Sequence, residues 1–483
     1  MDEMMKTCIT EKDLLRQILL LETLANHQQM TSKALATLLG TTERTIFSDI
    51  ISIRQQLPPH WSLAADSNGL SLQTSDSLPV SQLWEIFFPQ SIGISLLKAL
   101  LFSHSVGTQG FIQENGISLE TLRRHTLKLN QTLVDFSLQI RVTASKIVVE
   151  GNEINLRLFY HRLLLPYTHN NYFFSEYTIH ESHYYEFLTA LNKNKLDIDV
   201  EQVFGTCWFF INTIRIKANC RIDDFTFNVT DRFFALFKQP LVALYEKEGV
   251  YVETSEHFFS FYCFLESWNY NNHWSPLIRE TLTSYATICQ KATDFVLLID
   301  DTLQLDLAHQ TRLIDNLSLL LIKVQESTKL SVQFQSEYQD IRDFNYPQLV
   351  SIDPLITDFI QQHFSKTAHL QQSIAMTLRL LIQQARLQAD PVIAKGLFVF
   401  QGDPAWKVYL LHELKDYLGR RISLAAAEPG QLTAGSLAAS DFILSNFPIE
   451  SANCPIYYLS MVPTKNELSQ VTELIQTYYL NYR

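Results

Sequence analysis

The sequence predicts a mainly α, multidomain protein, with two N-terminal winged helix-turn-helix units, two all-α bundles and a small C-terminal α/β domain. Three observations predict it. The chain has 483 residues, too many for one hydrophobic core. It is 46% hydrophobic and 18% charged with only 14 Gly and 15 Pro, the balance of a globular chain rich in helices and short connections. The order short helix, turn, amphipathic helix, hairpin occurs twice before residue 165. The implied domains are 1–75 and 76–165 for the winged units, 166–288 and 289–392 for the bundles, and 393–483 for the α/β domain.

The first unit begins with EKDLLRQILLLETLANHQQ, where Leu14, Leu15, Ile18, Leu19, Leu21 and Leu24 make a wide apolar stripe at helical spacing. Met30-Thr31-Ser32 supplies a break and an N-cap. SKALATLLG follows as a short helix closed by Gly40. Thr41 or Thr42 caps the third helix, TERTIFSDIISIRQQL, whose buried side is Ile46, Ile50, Ile53 and Leu57; Pro58-Pro59 stops it. Its first turns would enter a DNA major groove. Thr42, Arg44 and Ser48 are the candidate DNA contacts, Arg44 foremost because its planar fork suits guanine or phosphate. WSLAADSNGLSLQT then reads as a hairpin about Asn68-Gly69.

The order recurs. SIGISLLKALLFSH is an apolar helix, TQGFIQEN a second helix and SLETLRRHTLKLNQTLVDF a third, capped by Ser118. Leu119, Leu122, Leu129 and Leu133 form its inner side. Glu120, Thr121, Arg124, His125 and Lys128 face outward with Arg123 at the margin, and Arg123, Arg124, His125 and Lys128 are the densest basic cluster in the first third of the chain. LQIRVTASKIVVEG makes a second wing. The formal charge of the whole chain is −12, but residues 1–165 carry 14 Lys and Arg against 15 Asp and Glu, so the acidity lies elsewhere. A nearly neutral segment binds duplex DNA when its cations share one face.

Three stretches in this order, TTERTIFSDIISIRQQL, TLRRHTLKLNQTL and VVEGNEINLRLFYHRLL with its G-x-E-x-x-x-R pattern, resemble the Mga/AtxA-type global virulence regulators of Gram-positive bacteria. The resemblance spans nearly the whole chain. It implies that the two bundles are regulation domains of the sugar phosphotransferase system, in which histidines accept phosphate. It also implies that the C-terminal domain is enzyme IIB-like. His309, one helical turn before Arg312, is the first phosphorylation candidate; His180, His183 and His369 follow, and His363 is a lesser one. The implied partners are double-stranded DNA, phosphocarrier proteins of that system and a second copy of the chain held through the C-terminal domain.

From the residues alone, 172–285 and 292–392 are helix-patterned, acidic and almost free of glycine. The C-terminal segment alternates strands (KGLFVF, RRISLAAAEP, SDFILSNFP, CPIYYLSMV) with helices, the pattern of a small parallel sheet. Phosphorylatable enzyme IIB domains carry a cysteine after the first strand. Here that loop reads Gln401-Gly402-Asp403-Pro404-Ala405-Trp406, which points to self-association rather than phosphoryl transfer.

The six cysteines are widely spaced with no CxxC pair, so free thiols are expected, and no metal or cofactor. No apolar run has membrane length and the N-terminus lacks an apolar signal core, so the expected location is the cytoplasm. No Walker loop, GxGxxG, HExxH or GxSxG motif occurs, which speaks against an enzyme. The alternative functions are an RNA-binding antiterminator linked to the phosphotransferase system, whose N-terminal domain would be β-rich, and a non-catalytic interaction scaffold.

Overall fold

A computed structural model of the chain describes residues 1–27, 29–66, 69–74, 80–169, 171–174, 179–196, 198–223, 225, 232–270, 274–326, 352–364, 368–389, 394–419, 422–428, 440–449 and 454–482. It divides into two compact units, Met1–Ala286 with Gln325–Gln333, and Thr287–Val324 with Phe334–Arg483.

The first unit opens with α1 (Glu3–Cys8), α2 (Lys12–Asn26), α3 (Ser32–Leu38) and α4 (Glu43–Gln56), followed by β1 (Trp61–Asp66) and β2 (Gly69–Thr74). The caps are local chemistry: the Thr31 and Thr42 hydroxyls accept the Ala34 and Thr45 N–H groups that start α3 and α4. β1 and β2 pair antiparallel from Trp61 opposite Thr74 to Asp66 opposite Gly69. Met30 exchanges two backbone hydrogen bonds with Leu70 (2.9 and 2.7 Å), so one residue acts as a third strand. The same order then repeats as α5 (Ile92–Phe102), β3 (Ser105–Gly107), α6 (Thr108–Asn115), α7 (Leu119–Leu133), β4 (Gln139–Val142) and β5 (Lys146–Glu150), with the strands ordered β3-β5-β4. The predicted helices and both hairpins are present. α1, the Met30 bridge and β3 escaped the sequence reading because each is too short for a periodicity to show. In α2 the buried set is Leu14, Gln17, Ile18, Leu20, Leu21 and Leu24, with Leu20 inside where Leu15 and Leu19 were expected.

A helical bundle completes this unit: α8 (Glu153–Leu164), α9 (Asn171–Phe174), α10 (Glu181–Lys193), α11 (Gln202–Lys217), α12 (Arg232–Lys247), α13 (Thr254–Glu266) and α14 (Pro276–Thr281). Its core is aromatic. Phe237 meets Phe233, Phe261, Phe264 and Trp268 at centroid distances of 5.6, 5.3, 5.5 and 5.7 Å. Rings of this size each bury about 150–250 Å² and dominate the packing energy.

The second unit contains most of α15 (Ala286–Leu303) and α16 (Leu307–Glu326), then α17 (Asp353–His363) and α18 (Ala368–Ala389). Phe295 of α15 stacks near Phe359 of α17 at 4.4 Å, and Arg379 of α18 pairs with Asp353 at 2.6 Å. β6 (Ala394–Val399), α19 (Pro404–Leu418), β7 (Ile422–Ala426), β8 (Phe442–Ser445), β9 (Ile456–Tyr458) and α20 (Lys465–Tyr482) follow. The four strands are parallel in the order β7-β6-β8-β9, as the alternation of strands and helices predicted. Phe398, Leu410, Leu414, Leu424, Phe442 and Leu444 form the core between sheet and helices.

Among the described residues no single helix is long and apolar enough to cross a bilayer. The segment Leu83–Gln90 and α5, bent by 84°, pass that test together, but Ile94, Leu96, Leu97, Leu100 and Leu101 of α5 are core residues here. All six cysteines are free, Cys8, Cys207, Cys220 and Cys263 being buried.

Candidate nucleic-acid interface

Each winged unit offers one exposed helix. On α4, Ile46, Asp49, Ile50 and Ile53 face inward, while Thr42, Arg44, Phe47 and Ser48 are exposed. Asp49 fixes the pose of this helix: it accepts two hydrogen bonds from Arg16 (2.6 and 2.9 Å) and one from Gln17 (3.3 Å), both on α2. Arg54, at the far end of α4, donates to the Leu63 carbonyl of the wing at 2.8 and 3.2 Å. Helix and wing are thus held in one frame. Sequence reading missed both anchors, since Asp49 and Arg54 only become informative once their partners are close in space.

On α7, Leu122, Thr126, Leu129 and Leu133 are buried. Ser118 caps the helix by accepting the Thr121 N–H at 3.1 Å. Arg123 and Arg124 are exposed in its first two turns, and Arg124 reaches the Thr121 hydroxyl at 3.3 Å. His125 is half-buried rather than outward, and Lys128 is exposed as expected but tethered. His125 Nδ1 lies 2.6 Å from the Thr10 hydroxyl and 3.6 Å from Glu11, and Lys128 donates to the Thr10 carbonyl. Burial depresses the His125 imidazole below its ordinary value, the carboxylate of Glu11 opposing and Lys128 and Arg124 adding to the fall. The physical reason is α1, which packs on α7 and lays the chain at Thr10 across that part of the helix face. Glu11 also caps α5, accepting from the Ile92 N–H and the Ser91 hydroxyl at 2.9 Å each. The α1–α2 junction therefore ties the two winged units together.

A second tie runs from the second winged unit to the bundle. Gly151, at φ +142°, makes the bend between β5 and α8, where an added Cβ would lie 2.5 Å from Leu138 Cδ2. Two residues on, Glu153 receives Arg157 (3.1 Å) and Arg215 (2.8 and 2.9 Å). Arg215 gives its remaining hydrogen bonds to the Leu100 and Leu101 carbonyls, which the end of α5 leaves without helical partners (2.7 and 3.1 Å). Arg157, wholly buried, forks onto Glu256 at 2.6 and 2.7 Å and reaches Asn212 and the Cys220 carbonyl. The G-x-E-x-x-x-R pattern is thus a polar joint between reader and bundle.

The two winged units coincide with two family profiles. Residues 11–68 match the M protein trans-acting positive regulator (MGA) HTH domain, and residues 76–164 match the Mga helix-turn-helix domain. The N-terminal third of the chain is thus similar to the paired helix-turn-helix domains of Mga-type transcription regulators. The chain is 19% identical over 492 aligned residues to the capsule synthesis positive regulator AcpB of Bacillus anthracis, with 98% of this chain and 99% of AcpB covered. It is 26% identical over 163 residues to a candidate trans-acting regulator of Streptococcus pneumoniae serotype 4; that match spans 34% of this chain and only 32% of the pneumococcal protein. Residues 284–388 match a non-canonical single-stranded DNA-binding domain.

The histidines singled out as phosphorylation candidates are dispersed. His309, half-buried near the start of α16, has Nδ1 2.8 Å from Asp306, and Arg312 of the same helix reaches Gln388 at 3.1 Å. His180 and His183 stand together at the start of α10 against Glu248. His363 ends α17 and is exposed. His369 falls in α18, but its side chain lies outside the described residues. In the C-terminal domain the loop after β6 holds no thiol: Asp403 caps α19 through the Ala405 and Trp406 N–H groups, and Cys454 precedes β9.

Proposed function

We propose that this chain is an Mga-type transcription regulator and binds double-stranded DNA with α4 and α7 in successive major-groove segments, Thr42, Arg44 and Ser48 serving the first unit and Thr121, Arg123 and Arg124 the second. The observation that carries the reading is the exposed Arg123–Arg124 pair on the first turns of α7, on a helix whose opposite face is buried. His125 and Lys128 then act mainly by holding α7 to Thr10. Replacing Arg123 and Arg124 together by Ala should weaken binding to most duplex sequences and reduce the slope of log affinity against log salt by about two units, one per lost phosphate contact. Lys128→Ala should change that slope less. An unchanged slope in the double variant, measured by fluorescence anisotropy across a salt series, sinks the assignment. The name of AcpB supports activation rather than repression as the sign of regulation.

Histidine phosphorylation by the sugar phosphotransferase system would set the activity of the two bundles, at 166–288 and 289–392. His309 is supported by its neighbour Arg312, with His180, His183 and His369 after it. A phosphate adds nearly two negative charges and would reorganise the polar contacts of an acidic bundle. Incubation with phosphoenolpyruvate and the general phosphotransferase proteins should label the chain, and labelling that survives replacement of all four histidines rejects the idea. Self-association through an enzyme IIB-like domain at 393–483 is supported by the exposed Val408, Tyr409 and Tyr417 of α19 and by Met461 and Val462. In the same samples, sedimentation should show a dimer for the full chain and a monomer for a chain ending before Lys395; a full-length monomer excludes it. A cytoplasmic location follows from this reading.

A further inference from the structure

The start of α10 and the end of α12 meet on one side of the first bundle. His180 is the N-cap residue of α10 and His183 lies in its first turn. Glu248 directly follows α12, with its side chain only 1% exposed. The backbone holds it there: the Gly249 N–H returns to Glu246 at 2.9 Å and the Val250 N–H to Tyr245 at 3.0 Å, closing the helix. Glu248 Oε1 then accepts the His180 N–H at 3.0 Å, lies 2.8 Å from His183 Nδ1 and stands 3.5 Å from His180 Nδ1. The two rings are 4.9 Å apart, and one ligand atom from each of the three side chains falls within 4.8 Å of the others.

We propose that His180, His183 and Glu248 form a binding site for one divalent transition-metal ion, Zn²⁺ or an ion of similar chemistry. Two imidazole nitrogens and one carboxylate oxygen are the donor set of three-ligand zinc sites. Donors bonded at about 2.0–2.2 Å with tetrahedral angles stand roughly 3.3–3.5 Å apart, and the two nitrogens lie at 2.8 and 3.5 Å from the carboxylate oxygen. A simple hydrogen bond accounts for His183, but not for a second imidazole turned to the same oxygen. Lys217 Nζ, 3.8 Å from Oε2, offsets charge on the other carboxylate oxygen and leaves Oε1 to the histidines. The His180 side chain is 57% exposed, so ion and water reach the fourth position from solvent. Calcium and magnesium are poor fits, because they take oxygen ligands almost exclusively.

The full-length protein, stripped with a chelator and titrated with Zn²⁺ alone by calorimetry, decides the matter. The wild-type chain should bind one tight equivalent, weakened by more than about tenfold in His180→Ala and in His183→Ala and retained in His309→Ala. Glu248→Gln should lose it too. Because Glu248 is buried, His180→Ala, which removes a largely exposed ring, is the variant that keeps the test decisive, with circular dichroism reporting the fold. Absence of a tight equivalent in the wild-type chain, or equal binding by the wild-type chain and both histidine variants, overturns the site. No phosphoryl donor is used, so this outcome is independent of the phosphorylation proposal.

Discussion

Replacing Arg157 by Ala should destabilise the first unit by about 3–5 kcal/mol, because it leaves the Glu256 carboxylate buried without its cation. Glu256 is fully buried and loses two charge-assisted hydrogen bonds, while Glu153 keeps only Arg215. Arg157→Lys should recover little, since an ammonium cannot fork onto Glu256 while reaching Asn212 and the Cys220 carbonyl. The double variant Arg157→Met with Glu256→Leu should recover a large part, because removing both charges also removes the desolvation cost. Urea denaturation followed by tryptophan fluorescence reads the effect, with Trp208 buried in the same core as Phe259. A loss below about 1 kcal/mol for Arg157→Ala would mean that the joint contributes little to stability. The single variant should also loosen the tie between the bundle and α5, and so lower the protection of α5 amides against hydrogen exchange.

Stability of the first unit should fall steeply in acid, and His161 should supply a large share of the slope. Its ring is fully buried, stacked on Trp208 at 4.0 Å, with Nε2 3.2 Å from the Phe204 carbonyl. Burial pushes the imidazole from its ordinary value of 6.5 down to about 3; Arg162 adds to the fall and the Phe204 carbonyl opposes it. The folded chain therefore keeps His161 neutral where the unfolded chain takes up a proton. This stability is fully present above pH 6.5 and is lost as the pH falls toward 3, at about 1.4 kcal/mol per pH unit and on the order of 5 kcal/mol in all. Carboxylates titrate in the lower half of this window, so the measurement is the difference between the wild-type chain and His161→Gln. The variant should be less stable at pH 7.5 and show the shallower pH dependence between 6.5 and 4.5. Parallel profiles for the two proteins would show that His161 takes up its proton as readily in the folded chain as in the unfolded one.

The sequence by itself determined what is local. Apolar spacing at 3.6 residues marked α2, α4, α5 and α7, side-chain hydroxyls marked the caps of α3, α4 and α7, Asn-Gly marked the first wing, and the change to short β-rich runs marked the parallel sheet. These signals are legible because a helix or hairpin writes its buried face into the residues that compose it. They were sufficient to find both winged units and, in their order, the likeness to Mga-type regulators. Helical phase also puts His125 and Lys128 outside, since it measures position relative to the helix's own apolar stripe. Only the tertiary structure brings α1 and Thr10 onto that outer face. In the same way, the pattern Gly151, Glu153, Arg157 was visible as a string, whereas its meaning depends on Glu256, 99 residues further along the chain from Arg157. The pairing of His180 and His183 with Glu248 spans 65 residues or more. Buried polar groups choose partners by the need to satisfy charge in a dry interior, wherever in the chain the partner lies, and no local periodicity records that choice.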